Sequence, residues 1–422
     1  MAETLLSPGV LTRENDQSLV TQGPIVAGLA VLGPTVKGPV NVPTSCTSYT
    51  DFVNKFGGKF ESESITYEYL TNIAINNYFQ QGGETVLVTR IVSGTYTPSS
   101  TEVRAIMHAD SASFTLETLS EGEIMNNSGS ISASGSLVSG STENVRYEIT
   151  GVDSGSGTFN LLIRRGDDNS KQRTILESFN DLSLDPNSQN YIEQVIGNQT
   201  RNFDTDGDGN RFIQVTGSYV NNSRYVRVKS VGSPTIDYLD NDGNFKSEYT
   251  SSLPQVGSGS NEGAFTGGTG KVFGSGANGN TRLKMFDEID VSSIQGLEAA
   301  YYTASINLLQ NTDEYDFEII TAPGCTIQNG SVATNALIDC VTDRGDAIAV
   351  IDTRNYGATL NQVVTSATTV DSSYGATYWP WVQVLSNETG KYVYVPASTV
   401  VPGVYASNDR LGAEWFAPAG FN

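Results

Sequence analysis

The side chains with the clearest metal-binding pattern lie in one short acidic segment, DTDGDGN, at residues 204–210. Carboxylates at alternate positions, here Asp204, Asp206 and Asp208, are typical of the start of a calcium-binding loop. Such a loop also needs a bidentate Glu at its twelfth position, and that position is Val215. The pattern therefore excludes an EF-hand and leaves two alternatives, a looser calcium site and an ordinary acidic hairpin.

Candidates for catalytic chemistry are few. His108 is the only histidine, so a triad, a histidine relay or a histidine-rich zinc site would depend on it, and no such motif surrounds it. The segment GGTGKV around Lys271 departs from a phosphate-binding loop, since Phe265 replaces the first Gly and Val272 the Ser or Thr. Asp352 ends the apolar run AIAVID, but no partner base or phosphate loop accompanies it, and we interpret it as structural. The residues thus predict neither an enzyme nor a cofactor.

Net charge and composition further restrict the classes of partner that the protein could bind. The chain has 24 basic and 46 acidic residues, for a net charge of -22, which disfavours nucleic acid and anionic membranes. The cysteines, Cys46, Cys325 and Cys340, are far apart and suit buried positions in a reducing compartment. The chain opens without a secretory signal, and its best apolar stretch, residues 25–32, is too short to span a bilayer. We expect a soluble protein made in the cytoplasm.

The elements that would position these residues fall into four regions. With 422 residues the chain exceeds what one core usually serves. Helix-then-strand patterns before residue 92 and after residue 281 predict one α/β domain split in sequence, a mixed sheet flanked by helices formed from 24–92 and 281–422. The Ser, Thr and Gly rich middle predicts inserted β-rich domains of barrel or sandwich type, at 93–200 and at 201–280, the latter ending in a Gly-rich linker. Residues 1–23 are predicted to form an extended arm.

Two helices near the start can be placed more closely. SYTDFVNKF predicts a helix from Ser48 to Phe56. Apolar residues from Ile65 to Tyr78 predict a second, amphipathic helix that ends at Gly82-Gly83.

Several stretches resemble contractile tail sheath proteins of myophage type. The chain begins with LLSPGVLTRE and GLAVLGPTVKGPVNVPTSCTSYTDFVNKFG, similar to the family's arm with a PGV element and the segment after it. NNYFQQGGETVLVTRIV and, within the insert, GTFNLLIRRGDDNSKQRTILESFNDLSLDPNSQNYIEQVIGN also resemble the family. Near the end, DEYDFEIITAPG and VPASTVVPGVYASNDRLGAEWFAPAGFN match it, the latter with a highly specific motif.

The resemblance implies a structural role. In this family, subunits join through terminal arms that add strands to neighbouring sheets, and it is Leu5, Leu6, Pro8, Gly9 and Val10 that lie in the corresponding arm here. The resemblance also implies a homo-oligomer of stacked rings around a tail tube, with baseplate and tail terminator proteins as further partners. Contraction by rigid-body rearrangement would drive genome delivery, and the protein would belong to the virion tail after assembly in the host cytoplasm.

The family pattern continues beyond the APAG element into a domain that lies against the tube. This chain ends at Asn422, so we expect it to lack that domain. Two alternatives stay open. One is the sheath of a phage-derived injection or secretion device, and the other is a calcium-stabilised surface adhesin that would use Asp204, Asp206 and Asp208.

Overall fold

The computed structural model describes residues 25–62, 65–106, 111–169, 171–207, 209–270, 294–412 and 416–418. The predicted arm, with Leu5, Leu6, Pro8, Gly9 and Val10, lies outside these residues, as do His108, Asp208 and Lys271. In chain order the strands and α-helices are β1 Ile25–Gly33, β2 Thr44–Cys46, α1 Tyr49–Phe56, β3 Phe60–Ser62, β4 Ile65–Tyr67, α2 Leu70–Gln80, β5 Val86–Arg90, β6 Pro98–Arg104, β7 Ala112–Glu121, β8 Val145–Asp153, β9 Thr158–Arg165, β10 Ile175–Ser183, α3 Ile192–Ile196, β11 Thr200–Thr205, β12 Arg211–Thr216, β13 Val226–Val231, α4 Ala300–Leu308, β14 Tyr315–Thr326, α5 Ile327–Arg344, β15 Ile348–Asp352, α6 Leu360–Ala367, β16 Gly375–Thr377, β17 Val382–Leu385, β18 Tyr392–Val395 and α7 Val401–Leu411.

A six-stranded sheet built from both ends of the chain forms the centre of the α/β domain. Its strand order is β16-β15-β14-β1-β5-β2. Strand β1 pairs in parallel with β5 on one side and with β14 on the other, whereas β2 is an antiparallel edge strand. Since β5 precedes the insert and β14 follows it, the mixed sheet closes only when the two halves of the chain meet. The predicted sequence-split α/β architecture is confirmed.

Helices cover both faces of this sheet, and alternate residues of β1 show how. Ala30 and Leu32 point into a core shared with α4 and α5, which contains Phe317 and Tyr302. Leu29 and Val31 point into the opposite core, where α1, α2 and α7 pack. All four β1 side chains are fully buried. The continuous apolar run of β1 is therefore explained by a strand buried on both faces.

The insert is β-rich, as predicted. Two antiparallel three-stranded sheets, β10-β9-β8 and β13-β7-β6, pack around one apolar core. Phe114 of β7 and Phe159 of β9 stack across it, with ring centroids 5.6 Å apart. The core extends in sequence from Val103 to Phe265, so it contains residues from both of the regions that the sequence divides at residue 200.

The hairpin of β11 and β12 packs away from that core. Its strands pair antiparallel, and β12 lies against α4 of the α/β domain. Phe203 and Ile213 are partly buried against the same core as Phe317. This hairpin thus ties the insert to the α/β domain.

For the two helices near the start, the predicted ends can be compared with the observed ones. Helix α1 forms as predicted, with Ser48 as the N-cap whose hydroxyl accepts a bond from the Asp51 amide (3.1 Å). Helix α2 ends as predicted, where Gly82 adopts a φ of 99° that other residues disfavour. The predicted start at Ile65 is wrong, because residues 65–67 form β4 and pair with β3. Their β-branched and aromatic types favour a strand.

Candidate functional site

The carboxyl ends of β1, β14 and β15 meet at the edge where open α/β sheets bind ligands, since the strand order reverses beside β1. Asp352, the last residue of β15, lies there and is buried. Its carboxylate accepts bonds from the Ser398 amide (3.1 Å) and the Ser398 hydroxyl (2.6 Å). Burial raises the pKa of Asp352 to about 6, although the bonds from Ser398 lower it in part.

The chain itself fills this edge. The 3₁₀ helix Ala397–Thr399 packs against β14, β15 and α2. The buried Gln295 side chain accepts a bond from the Leu70 amide (2.8 Å) and donates one to the Pro323 carbonyl (3.4 Å). Asp352 is therefore a structural acceptor that holds the 397–399 turn in place, in agreement with its interpretation from sequence.

The three thiols are buried and free. Burial raises the pKa of Cys46 and of Cys340 to about 12, and it raises the pKa of Cys325 further. At neutral pH the thiols are therefore protonated and unreactive, as expected of small core residues.

The acidic segment forms the tip of the β11–β12 hairpin. The Asp206 carboxylate accepts bonds from the Asn210 backbone amide (2.7 Å) and from the Asn210 side chain (2.9 Å), which closes the turn. Asp204 accepts a bond from the Thr205 amide (2.7 Å). Within the residues that the structure describes, which exclude Asp208, no group of three or more His, Cys, Asp or Glu side chains is arranged to hold a metal ion.

A cleft lies between the α/β domain and the insert, beside the edge strand β2. Its cavity volume is about 220 Å³, and its lining includes four basic side chains and the carboxyl of Glu121. Lys55 donates to Asp51 (2.8 Å) and to the Ser45 carbonyl (2.9 Å), and Arg227 pairs with Glu117 (2.6 Å). The other two basic residues, Arg201 and Arg224, are exposed. The cleft thus has four basic side chains in its lining, on a chain that is acidic overall.

Buried cations join the α/β domain to the insert. The fully buried Arg90, at the end of β5, donates to the carbonyls of Gly38 (2.7 Å) and Glu121 (2.9 Å) and lies over the Tyr96 ring. Lys37 pairs with Glu143 of the insert (2.9 Å). Both cations join the loop after β1 to the insert.

Sequence reasoning missed this cleft. Lys55, Arg201 and Arg224 belong to elements that are distant in the sequence, and no motif links them. The only available signal was the presence of Arg and Lys in the strand patterns of a chain that is otherwise acidic.

A second buried carboxyl, Glu68, lies between α2 and the β17–β18 hairpin. It accepts bonds from the Asn72 side chain and the Ser386 hydroxyl. Glu388, which accepts a bond from Tyr49 (3.1 Å), and Lys59 are the charged groups nearby. Burial, with a smaller contribution from the Glu388 charge, raises the pKa of Glu68 to about 7.

We expect Glu68→Gln to flatten the dependence of stability on pH. Because the pKa of Glu68 is higher in the folded protein, its protonated form favours folding below about pH 4.5, and this contribution is lost as the pH rises to about 7. The shift corresponds to roughly 3 kcal/mol at most. Denaturant unfolding at pH 4.5 and pH 8 measures it, with the exposed Glu298→Gln as control. If the free energy of unfolding changed by the same amount between pH 4.5 and pH 8 in the wild type and in Glu68→Gln, the raised pKa would not belong to Glu68.

Among the comparisons with known proteins, the comparison of structures gives matches and the comparisons of sequence do not. No family model and no curated protein matches the sequence. The structure is similar to that of a sheath tail protein from Listeria innocua, with a TM-score of 0.44 and 12% identity over 92% of this chain and 58% of that chain. It is also similar to a sheath tail protein from Desulfitobacterium hafniense, with a TM-score of 0.40 and 11% identity over 94% of this chain and 62% of that chain. The chain spans about 60% of the length of these structures.

Proposed function

We propose that this chain is a non-enzymatic structural subunit of a contractile phage tail sheath. The observation that carries the proposal is the place of its most specific resemblance, the stretch VPASTVVPGVYASNDRLGAEWFAPAGFN. This stretch supplies the 397–399 turn and α7, which close the α/β core against Asp352 and α2. Asn77 of α2 donates to the Thr399 carbonyl (3.3 Å). The stretch that most resembles the sheath family thus forms part of the core of the α/β domain.

The fold suits a subunit that polymerises. A sheath polymerises through heterologous contacts, in which one patch meets a different patch on the next copy. A sheath arm adds a strand to a sheet of a neighbouring copy, and the resemblance places that acceptor sheet in the further domain. We propose that Leu5, Leu6, Pro8, Gly9 and Val10 belong to the arm that supplies such a strand.

Contraction needs no nucleotide in this proposal. The extended assembly is metastable, and subunits rotate and repack as rigid bodies into a lattice with larger contacts. The sheath would surround the tail tube and end at baseplate and terminator proteins. Neither a nucleic acid nor a membrane is a proposed partner, and no helix in the described ranges combines the length and apolar character needed to cross a bilayer.

Negative-stain microscopy tests the proposal on a longer chain that carries the C-terminal domain implied by the resemblance. Hollow cylinders are the expected result. Dispersed monomers that bind glycans would instead favour a surface adhesin.

The 422-residue chain itself is expected to be a soluble monomer or a weak oligomer. The reason is that the resemblance places the acceptor of neighbouring arms in the further domain. Light scattering and microscopy measure this. Stable tubes formed by the 422-residue chain alone would show that the acceptor lies within it.

A further inference from the structure

Two surfaces of opposite charge lie at the two ends of β11. Arg201, near its start, lines the basic cleft, and Asp204 and Asp206 lie at its end in the hairpin tip. Five residues of extended strand separate Arg201 from Asp206 by about 16 Å. The tip therefore cannot fold back into the cleft of its own chain.

The cleft has unused binding capacity. In the part of the chain that the structure describes, Lys55 and Arg227 have carboxylate partners, but no ion pair involves the guanidinium groups of Arg201 and Arg224. A guanidinium recognises a carboxylate through two parallel hydrogen bonds. Acidic residues outnumber basic ones by 46 to 24, so two such guanidinium groups beside one cleft indicate an acidic occupant.

The hairpin tip has the complementary charge. A Cβ atom added at Gly207 or at Gly209 would meet no atom of the described chain within 4 Å, so the tip projects from the surface. Asp204 is exposed and forms no ion pair with a described residue. The backbone amide and the side chain of Asn210 both donate to Asp206, and these bonds close the turn.

We propose that the cleft binds the acidic hairpin tip of a second copy of this chain, with Arg201 and Arg224 pairing with Asp204 and Asp206. Each copy then offers one cleft and one tip, so the contact is heterologous and repeats from copy to copy. This inference rests on the proposed sheath function and adds the surface through which copies meet. Because the ion pairs are exposed, the contact is weak and sensitive to salt.

The experiment is sedimentation velocity of the whole 422-residue chain over a range of concentrations at low and high salt. The wild type is expected to self-associate weakly at low salt. Arg201→Glu/Arg224→Glu should weaken association by about tenfold or more. Asp204→Lys/Asp206→Asn should do the same, and Asp206→Asn keeps an oxygen to accept the Asn210 amide. Arg104→Glu/Lys171→Glu, which changes two exposed cations elsewhere on the insert, should associate like the wild type.

Mixing the two charge-changed variants gives the sharpest result. The cleft of Arg201→Glu/Arg224→Glu carries carboxylates, and the tip of Asp204→Lys/Asp206→Asn carries an ammonium group. These opposite charges meet only in a mixed pair, so the mixture is expected to associate although neither variant does alone. Circular dichroism and melting temperature show whether each variant is folded, and a tip variant Asp204→Asn/Asp206→Asn serves if the variant with Asp204→Lys is not.

Three results would overturn the inference: a wild type that stays monomeric at low salt, cleft variants that associate like the wild type, or a mixture that does not associate. None of these bears on the sheath proposal if the longer chain forms cylinders. Conversely, association through the cleft without cylinders from the longer chain would reject the sheath proposal alone.

Discussion

Excision of residues 94–280, with the flanking segments rejoined, is expected to leave a folded α/β domain that melts cooperatively. The sheet strands β1, β2 and β5 precede the cut and β14, β15 and β16 follow it, so none of them is lost. The excised chain does lose Phe203 and Ile213, which pack against the core of the α/β domain. That loss should cost about 2–4 kcal/mol and lower the melting temperature by roughly 10 °C.

The polar contacts between the α/β domain and the insert should contribute less than these apolar contacts to the stability lost on excision. Arg90 and Lys37 would lose the Glu121 carbonyl and Glu143, but excision also returns both cations to water. Circular dichroism and calorimetry of the excised chain measure the outcome. Phe203→Ala/Ile213→Ala in the intact chain is the matched control, since it removes the apolar contact alone. A molten product without a cooperative melt would show that the α/β domain does not fold independently of the insert.

The elements that sequence predicted well are those set by local patterns. The helix predicted from Ser48 to Phe56 and the end of α2 at its glycines each depend on a few neighbouring residues, and the structure contains both. The split α/β architecture followed from the repeat of helix and strand on both sides of the insert.

The features that sequence missed depend on contacts between distant residues. Strand β13 pairs with β7, and this pairing places Val226 in the same core as Phe114, although nothing local to either strand indicates the other. The cleft has the same origin, because Lys55 and Arg224 meet only after the insert docks on the α/β domain. The sequence left the acidic tip unassigned as well, since carboxylates in a turn fit a cation site and a surface loop equally well.

Deletion of residues 1–22 is expected to block sheath polymerisation while hardly changing the melting temperature of the isolated chain. Within the described residues β1 pairs with strands on both sides, so neither of its edges is open to a strand from the arm. The Ile25 amide already donates to the Glu314 carbonyl (2.9 Å). If the arm donates a strand to a neighbour, its backbone bonds are made only between subunits.

Two measurements separate an arm that joins subunits from one that belongs to its own fold. Limited proteolysis is expected to remove residues 1–22 from the isolated chain faster than from an assembled sheath, where a neighbouring sheet would protect them. Thermal melts of the intact and shortened 422-residue chain should agree closely, and microscopy of the longer chain should show cylinders only when the arm is present. A loss of several kcal/mol in the shortened monomer, comparable with a lost core strand, would place the arm in its own subunit and reject the proposed joint.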